Sequence, residues 1–339
     1  MTSHSHQRVS IIVINWNGKQ FLQDCIQSIE MQTYQDTELV VLDNCSTDGS
    51  RELLSHLDGN YHLVLSDKNL GYCGGANLGI RSTNGEYVLI MNPDVLLHPD
   101  FLTHLLTAAQ QNPEVGILSG KLLRFDKRTL DSTGQFLRKN MSPRERGYDE
   151  VDIGQYDRPG YVFSSCGAVV LYRRSMLEAI QLGGEYFDET YFAFYEDLDL
   201  GWRAQLSGWK AYYVPEAIAY HYRGGGLSEH KRQRQWFERI SWIPNVSFVE
   251  KPQFIQHHLI VNRYLTMLKN ASLADILIGL PAILRFEILL WGYVVCVRPS
   301  LFSTLFTLLK LFPQTLRKRQ AIQSGKGSDT LFPKKARRF

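Results

Sequence analysis

Four short apolar, β-branched runs alternate with helix-like segments over the first hundred residues, and that alternation leaves few folds open. Residues 9–14 form a continuous buried-strand pattern, followed by a turn at 15–18. Residues 21–32 then show helical spacing at Phe21, Leu22, Cys25, Ile26 and Ile29. A second strand is expected at 38–42, a helix behind the cluster Ser46-Thr47-Asp48-Gly49, and a third strand at 61–65. Asp48 reads as the helix cap and Gly49 as the residue that relieves the turn. A glycine-rich loop at 71–75 leads to a helix at 76–82, and a fourth strand at 87–91 is cut off by Asn92-Pro93-Asp94. Strands alternating with helices specify a parallel, wound α/β sheet. Ligands bind such sheets beyond the carboxyl ends of the strands, where Asn15, Asp43 and Asp94 stand.

Beyond residue 125 the pattern changes. Residues 126–160, rich in Arg, Asp, Gly and Pro, read as a long excursion or flexible loop, with a place in shaping an acceptor site. Residues 161–172 are apolar, 196–206 look helical, and 211–214 look like a short strand. Helical patterns dominate after about Trp236. The apolar stretch 273–297 contains Asp275, Pro281, Arg285 and Glu287, and its longest charge-free run has ten residues; the run 299–309 has eleven. A spanning helix needs about 20 such residues. Helices lying on a membrane surface are expected here, against the alternative of a helical hairpin packed on protein. The expected organisation is therefore a catalytic α/β domain over 1–235, a helical, membrane-associated segment over 236–316 and a basic tail over 317–339.

Charge supports that division. The chain of 339 residues has a net charge of +3, but residues 317–339 alone carry eight Lys/Arg and one Asp. The remaining body, with 29 basic and 33 acidic side chains, is at −4. A basic tail suits an anionic membrane surface or is simply solvated. Its two aromatics, Phe332 and Phe339, are too few for a nucleic-acid stacking platform, so no nucleic-acid partner is expected. Five dispersed cysteines without a C-x-x-C pair argue against a disulfide framework or structural zinc and suit a reducing compartment. The first eight residues contain no apolar signal region. A cytoplasmic protein, peripheral on the membrane, is the expectation.

Four positions carry chemistry. Asp43, at a strand end, is placed either to accept hydrogen bonds from a base or ribose or to hold the turn. Asp94 is an oxygen ligand suited to Mg²⁺ or Mn²⁺ bridging phosphates, and Asp100 is expected to cap the following helix, leaving Asp94 free. In Glu196-Asp197-Leu198-Asp199, aromatic surroundings raise carboxylate pKa values and suit a general base. Asp199 is expected to pair with Arg203, which leaves the catalytic reading to Asp197 beside Glu196. His221 precedes Arg223 and three glycines, where it either reaches a metal or phosphate or is structural. The dinucleotide, P-loop, hydrolase and zincin motifs are absent.

Five segments together resemble the family 2 glycosyltransferases, inverting enzymes with a GT-A fold. They are 9–17 (VSIIVINWN), 41–50 (VLDNCSTDGS), 69–77 (NLGYCGGAN), 91–94 (MNPD) and 192–203 (FAFYEDLDLGWR), in the family's order. The subgroup they look most like contains rhamnosyltransferases of surface-polysaccharide synthesis. The resemblance implies a GT-A sheet, a nucleotide-diphosphate sugar donor such as dTDP-rhamnose, a divalent metal, and a lipid-linked or polysaccharide acceptor. It implies that Trp16 and Asp43 hold the donor's base, with Asn15 beside them and Asn77 and Asn92 also on the donor side. Asp94 matches the last acid of the D-x-D metal motif, whose first acid is Asn92 here. Asp197 matches the catalytic base and His221 a metal-coordinating histidine. A non-catalytic binding protein of the same fold and a sugar nucleotidyltransferase are the alternatives.

Overall fold

A computed structural model describes residues 7–223 and 246–324. The chain divides into two compact units, one of Met1–Phe136 with Arg144–Arg223 and one of Leu137–Pro143 with Gly224–Phe339.

The first unit opens with β1 (Val9–Asn15), α1 (Lys19–Glu30), β2 (Thr37–Asp43), α2 (Ser50–His56), β3 (His62–Leu65), α3 (Gly71–Arg81), β4 (Tyr87–Met91), β5 (Val95–Leu97) and α4 (Phe101–Gln111). It continues with β6 (Val115–Arg124), β7 (Leu130–Ser132), β8 (Gln135–Leu137), β9 (Pro143–Glu145), β10 (Gly160–Val162), β11 (Val169–Arg173), α5 (Arg174–Ile180), α6 (Glu196–Leu206) and β12 (Lys210–His221). The main sheet runs β10-β12-β6-β11-β4-β1-β2-β3, with β5 on β12 and β7 on β6. Pairs β4-β1, β1-β2, β2-β3 and β6-β12 are parallel. β11 lies antiparallel between β4 and β6, so the sheet is mixed and mostly parallel. Its buried face gathers Val9, Ile11, Val13, Val41, Leu89 and Met91 with Leu102 and Leu105 of α4. Both faces are covered, which is why these strands read as unbroken apolar runs.

Three local expectations change. The 71–75 glycines lie inside α3 rather than in a loop before it. A Cβ at Gly79 would collide with Ile12, so the helix needs glycine to approach β1 this closely. β12 runs twelve residues rather than four, because a register shift between Val214 and Ile218 absorbs Pro215. The 126–160 excursion is built into the sheet through β7 and β10. Asp126 closes its first turn on the Arg128 and Thr129 amides. Lys121, nearly enclosed, holds Asp152 at 3.0 Å and Asp157 at 2.5 Å. Arg146 donates to Thr133 and stacks over Phe136, Tyr156 and Tyr213.

The described part of the second unit is helical: α7 (Val246–Val249), α8 (Gln253–Asn270), α9 (Leu273–Cys296), a 3-10 turn at Pro299–Phe302 and α10 (Ser303–Ser324). Residues 317–324 thus continue α10; the rest of the basic tail, like the Gly224–Gly226 loop, lies outside the described residues. The charges that interrupt α9 have local partners. Ser272 and Asp275 form a capping box at its start. Glu287 accepts from Arg263 at 2.6 Å and from the Tyr264 hydroxyl, while Arg263 also donates to the Asn140 carbonyl. α9 continues through Pro281. Among the described residues no helix is long and apolar enough to cross a membrane. Glu287→Ala should leave the Arg263 guanidinium buried without its carboxylate. The expected cost is roughly 2–4 kcal/mol, read as a lower urea midpoint for helical signal.

Candidate active site

The carboxyl ends of β1 and β2 are stitched together by side chains. Asn15 Nδ2 donates to Asp43 Oδ1 at 2.9 Å and Asn15 Oδ1 accepts from the Gly18 amide. Asp43 Oδ2 accepts from the Ser46 amide and from Arg51 Nε at 2.8 Å. Burial works against the Asp43 charge, but these donors outweigh it and lower its pKa. Asp48 accepts from the Ser50 amide and from the Lys19 amide of α1, but the cap position of α2 falls to Gly49, with no side-chain cap bond, rather than to Asp48 as expected. Of the residues expected to touch the donor, Asn15 and Asp43 are fully enclosed and shape this edge from within. Trp16 is 58% exposed and presents its ring beside them.

Asn77 sits elsewhere. It is buried in α3 and ties down residues 186–189, accepting from the Tyr186 and Phe187 amides and donating to the Phe187 carbonyl and Glu189. Its hydrogen-bonding capacity is used, so the expected donor contact is replaced by a structural one. Asn92 is half-buried; its amide donates to the Ala168 carbonyl and fixes the strand end that precedes Asp94. Asp100 occupies the cap position of α4, but no side-chain cap bond forms there.

Pairing of β5 with β12 sets His221 opposite Val95 and so brings it to Asp94. His221 Nε2 lies 3.5 Å from Asp94 Oδ2, and Nδ1 lies 2.7 Å from Asp131 Oδ2. Arg223 Nε donates to the other Asp131 oxygen. Burial opposes a charged imidazole, but the two carboxylates prevail and raise His221 to about 9. A cleft of about 250 Å³ opens beside Asp94, walled by Phe21, Phe125 and Tyr222 with Gln20 and Asp24 at its edge.

Asp94 offers the carboxylate oxygen that suits Mg²⁺ or Mn²⁺, and the imidazole 3.5 Å from it is oriented through its other nitrogen by the Asp131 carboxylate. Among the described residues no group of three or more acidic, His or Cys side chains is arranged to hold a metal ion. Further ligands would come from substrate phosphates and water, the usual Mg²⁺ arrangement.

The second cluster is at the start of α6. Phe192, Phe194 and Tyr195 all have positive φ, at 60°, 72° and 70°. Such backbone costs about 1–3 kcal/mol per residue and concentrates at functional sites. It delivers Glu196 and Asp197 to the site. Asp197 Oδ2 accepts from the Gly167 amide at 3.1 Å and Gln135 Nε2 at 3.0 Å; Oδ1 accepts from the Leu198 amide at 2.7 Å. The Tyr72 hydroxyl donates to the Gly167 carbonyl and fixes that peptide. Oδ2 thus has both lone pairs engaged, and Oδ1 has one left. Burial raises the Asp197 pKa despite these donors. Burial and the neighbouring Asp197 charge raise Glu196 to about 8, and its buried Oε2 has no protein partner. Asp199 pairs with Arg203 at 2.9 Å, as expected.

Asp131, Gln135 and Glu145 were not legible as site residues. They lie in the excursion, where no periodicity marks a strand, and Glu145 stands in a run, Arg144-Glu145-Arg146, that reads as solvated charge.

A family model for glycosyl transferase family 2 matches residues 10–181, half of the chain. This chain belongs to glycosyl transferase family 2. The glycosyltransferase is 28% identical over 238 residues to the N-acetylglucosaminyl-diphospho-decaprenol L-rhamnosyltransferase of Mycobacterium tuberculosis, covering 63% of this chain and 75% of that one. It is 29% identical to a low-salt glycan biosynthesis hexosyltransferase of Haloferax volcanii, over 58% of this chain and 61% of that one. Among solved structures it resembles a mannosyltransferase of Pyrobaculum calidifontis, in complex with GDP-Man and Mn²⁺, at 17% identity and a TM-score of 0.51 over 94% of this chain and 85% of that one. It also resembles S. aureus TarS, at 16% identity and a TM-score of 0.52 over 94% and 55%. These likenesses carry the GT-A fold. Family membership sets aside the sugar nucleotidyltransferase alternative.

The raised Glu196 carboxyl has a consequence for stability. A carboxyl that holds its proton more tightly when folded stabilises the fold below its ordinary value near 4.5, and that stability is lost as pH rises to about 8. Glu196→Gln should therefore match wild type near pH 4 and exceed it at pH 8.5, by roughly 1–2 kcal/mol, in thermal melts of the two proteins.

Proposed function

We propose that this glycosyltransferase moves a sugar from a nucleotide-diphosphate donor onto a hydroxyl of a lipid-linked or polysaccharide acceptor, with inversion. The observation that carries the reading is Asp197, whose Oδ1 keeps one lone pair for a proton while Oδ2 is held by two donors. Asp197 accepts the acceptor's hydroxyl proton on Oδ1. The hydroxyl oxygen forms its bond to the anomeric carbon from the face opposite the diphosphate. The bond from that carbon to the diphosphate oxygen breaks, and its electron pair leaves with the nucleoside diphosphate. Asp94 and His221 would hold Mg²⁺ or Mn²⁺, which when bound supplies electrostatic stabilisation to the diphosphate. Trp16, exposed at the β1 edge, offers a surface for stacking the base. The similarity to a mycobacterial rhamnosyltransferase supports dTDP-rhamnose as donor and a lipid-linked diphosphate saccharide as acceptor.

The helical unit supports attachment to a membrane surface, the cytoplasmic face being the one that holds nucleotide sugars. In α9, Leu277, Leu284 and Ile288 are exposed, and in α10 so are Leu305, Phe306, Leu309 and Phe312. Arg317, Lys318 and Arg319 follow at the end of α10. Apolar stripes followed by basic side chains match an interfacial helix on anionic lipid.

A donor panel tests the enzyme reading: dTDP-rhamnose, UDP-glucose, UDP-galactose, UDP-N-acetylglucosamine and GDP-mannose, each with Mn²⁺ and with EDTA. One donor should raise the melting temperature in Mn²⁺ alone and release its nucleoside diphosphate. Asp197→Asn should slow that release about 10²–10⁴-fold; near wild-type turnover in this variant would sink the base assignment. For the membrane, the double substitution Leu277→Glu with Leu309→Glu should abolish sedimentation with phosphatidylglycerol vesicles while leaving the melt unchanged. Wild-type protein that stays in the supernatant with those vesicles would refute the attachment.

A further inference from the structure

One amide group, that of Gln135 on β8, joins Asp197 to Glu145 on β9. Gln135 is 2% exposed. Its Nε2 lies 3.0 Å from Asp197 Oδ2 and 2.9 Å from Glu145 Oε1. Two carboxylate oxygens converge on one terminal atom of the amide, so that atom is the nitrogen, with one hydrogen for each. Glu145 Oε2 accepts from the Ser132 hydroxyl at 2.5 Å. Ser132 is the next residue after Asp131, which anchors His221 and Arg223. Gln135 Oε1 is buried without a protein partner, an acceptor left for a hydroxyl or water at the site.

We propose that Gln135 and Glu145 are positioning residues for the catalytic base: Gln135 holds Asp197 Oδ2 so that Oδ1 receives the proton, and Glu145, joined through the same amide, sets the charge that Asp197 faces. The inference rests on Asp197 being the base. Several titratable groups face Asp197. They are Glu196 beside it on α6, Glu145 from β9, Cys166 from the segment before β11, Tyr172 from β11 and Tyr72 from α3. Burial raises Cys166, Tyr72 and Tyr172 well above their ordinary values, so they stay neutral across the working range. Asp131 and Arg223, farther along β7 and β12, neutralise each other in an ion pair. Burial and Asp197 raise Glu145 to about 7. The Asp197 charge in turn helps raise Glu145 and Glu196, so the ionisation of the three carboxyls is linked.

The two residues act in opposite directions. Glu145→Gln keeps the shape and removes a like charge, so Asp197 should lose its proton at lower pH. Gln135→Ala removes a donor to the ionised carboxylate, so Asp197 should lose its proton at higher pH. The test labels the protein with carboxyl-¹³C aspartate and follows the Asp197 resonance, assigned by its loss in Asp197→Asn, through a pH titration. The expected midpoint falls by roughly 0.5–1 pH unit in Glu145→Gln and rises by a similar amount in Gln135→Ala. Gln135→Met, which keeps the side chain's length, takes the place of Gln135→Ala if the latter melts early. Midpoints that stay at the wild-type value, or that move the same way in both variants, would overturn the proposal. The titration needs no turnover, so it stands apart from the base assignment, which fails only if Asp197→Asn remains active on the donor.

Discussion

Asp131 keeps its charge inside the protein because His221 and Arg223 both bond to it, and much of the site is arranged around that one carboxylate. Asp131 is fully enclosed. Burial alone would neutralise it, yet its two partners pull its pKa below the ordinary carboxylate range. The contact fixes the end of β12 to β7. It sets which imidazole nitrogen faces Asp94, since Nδ1 is committed to Asp131. It also anchors the strand from which Ser132, Gln135 and Glu145 follow, so the His221–Asp94 pair and the neighbours of Asp197 share one support. Removing the Asp131 carboxylate would leave an arginine and a histidine with no buried counter-charge, which is a far larger disturbance than losing one hydrogen bond.

The two halves of the site hold carboxylates in opposite conditions. Asp43 and Asp131 are surrounded by donors and cations and are held ionised. Asp197, Glu196 and Glu145 are buried near one another and hold their protons more tightly. Environments that push acids apart in this way assign different work to chemically similar groups. A base must gain a proton during the reaction, so a raised pKa favours it. A group that holds a cation or a strand end must stay charged, so a lowered one does. The division matches the chain's topology: the raised set sits on α6 and the β8–β9 hairpin, the lowered set at the ends of β2 and β7.

What the sequence disclosed follows the same physics. The parallel core strands were legible because they are buried on both faces and carry unbroken apolar runs; Asp94 stood out at the end of such a run, and Asp197 as an acid among aromatics whose neighbour Asp199 was expected to pair with Arg203. Helix α3 was hidden by its glycines, which serve close packing against Ile12 rather than a turn. The length of β12 was hidden by Pro215, which a bulge accommodates. Asp131, Gln135 and Glu145 were hidden for a deeper reason. Their strands are three residues each and are held by side-chain contacts, Lys121 with two aspartates and Arg146 over three rings, that no local pattern encodes.

The helical unit buries polar side chains beside a small apolar cluster of Ile260, Leu290, Val294 and Leu301, and exposes many apolar ones. In α8 the buried residues include Gln256, Asn262, Arg263, Thr266, Lys269 and Asn270. In α9 the exposed residues include Leu273, Leu277, Leu284 and Ile288, while Asp275 is buried and capped. A helix that kept this pattern in water would expose apolar area without return, at about 25 cal/mol per Å². Some of the polar groups inside are paired, Arg263 with Glu287 and Gln256 with Tyr293. The charges that break the 273–297 run, read alone, argue only that the segment does not span. Placed on the helix, Asp275 is capped and Glu287 is paired with Arg263, while Leu277, Leu284 and Ile288 stay exposed.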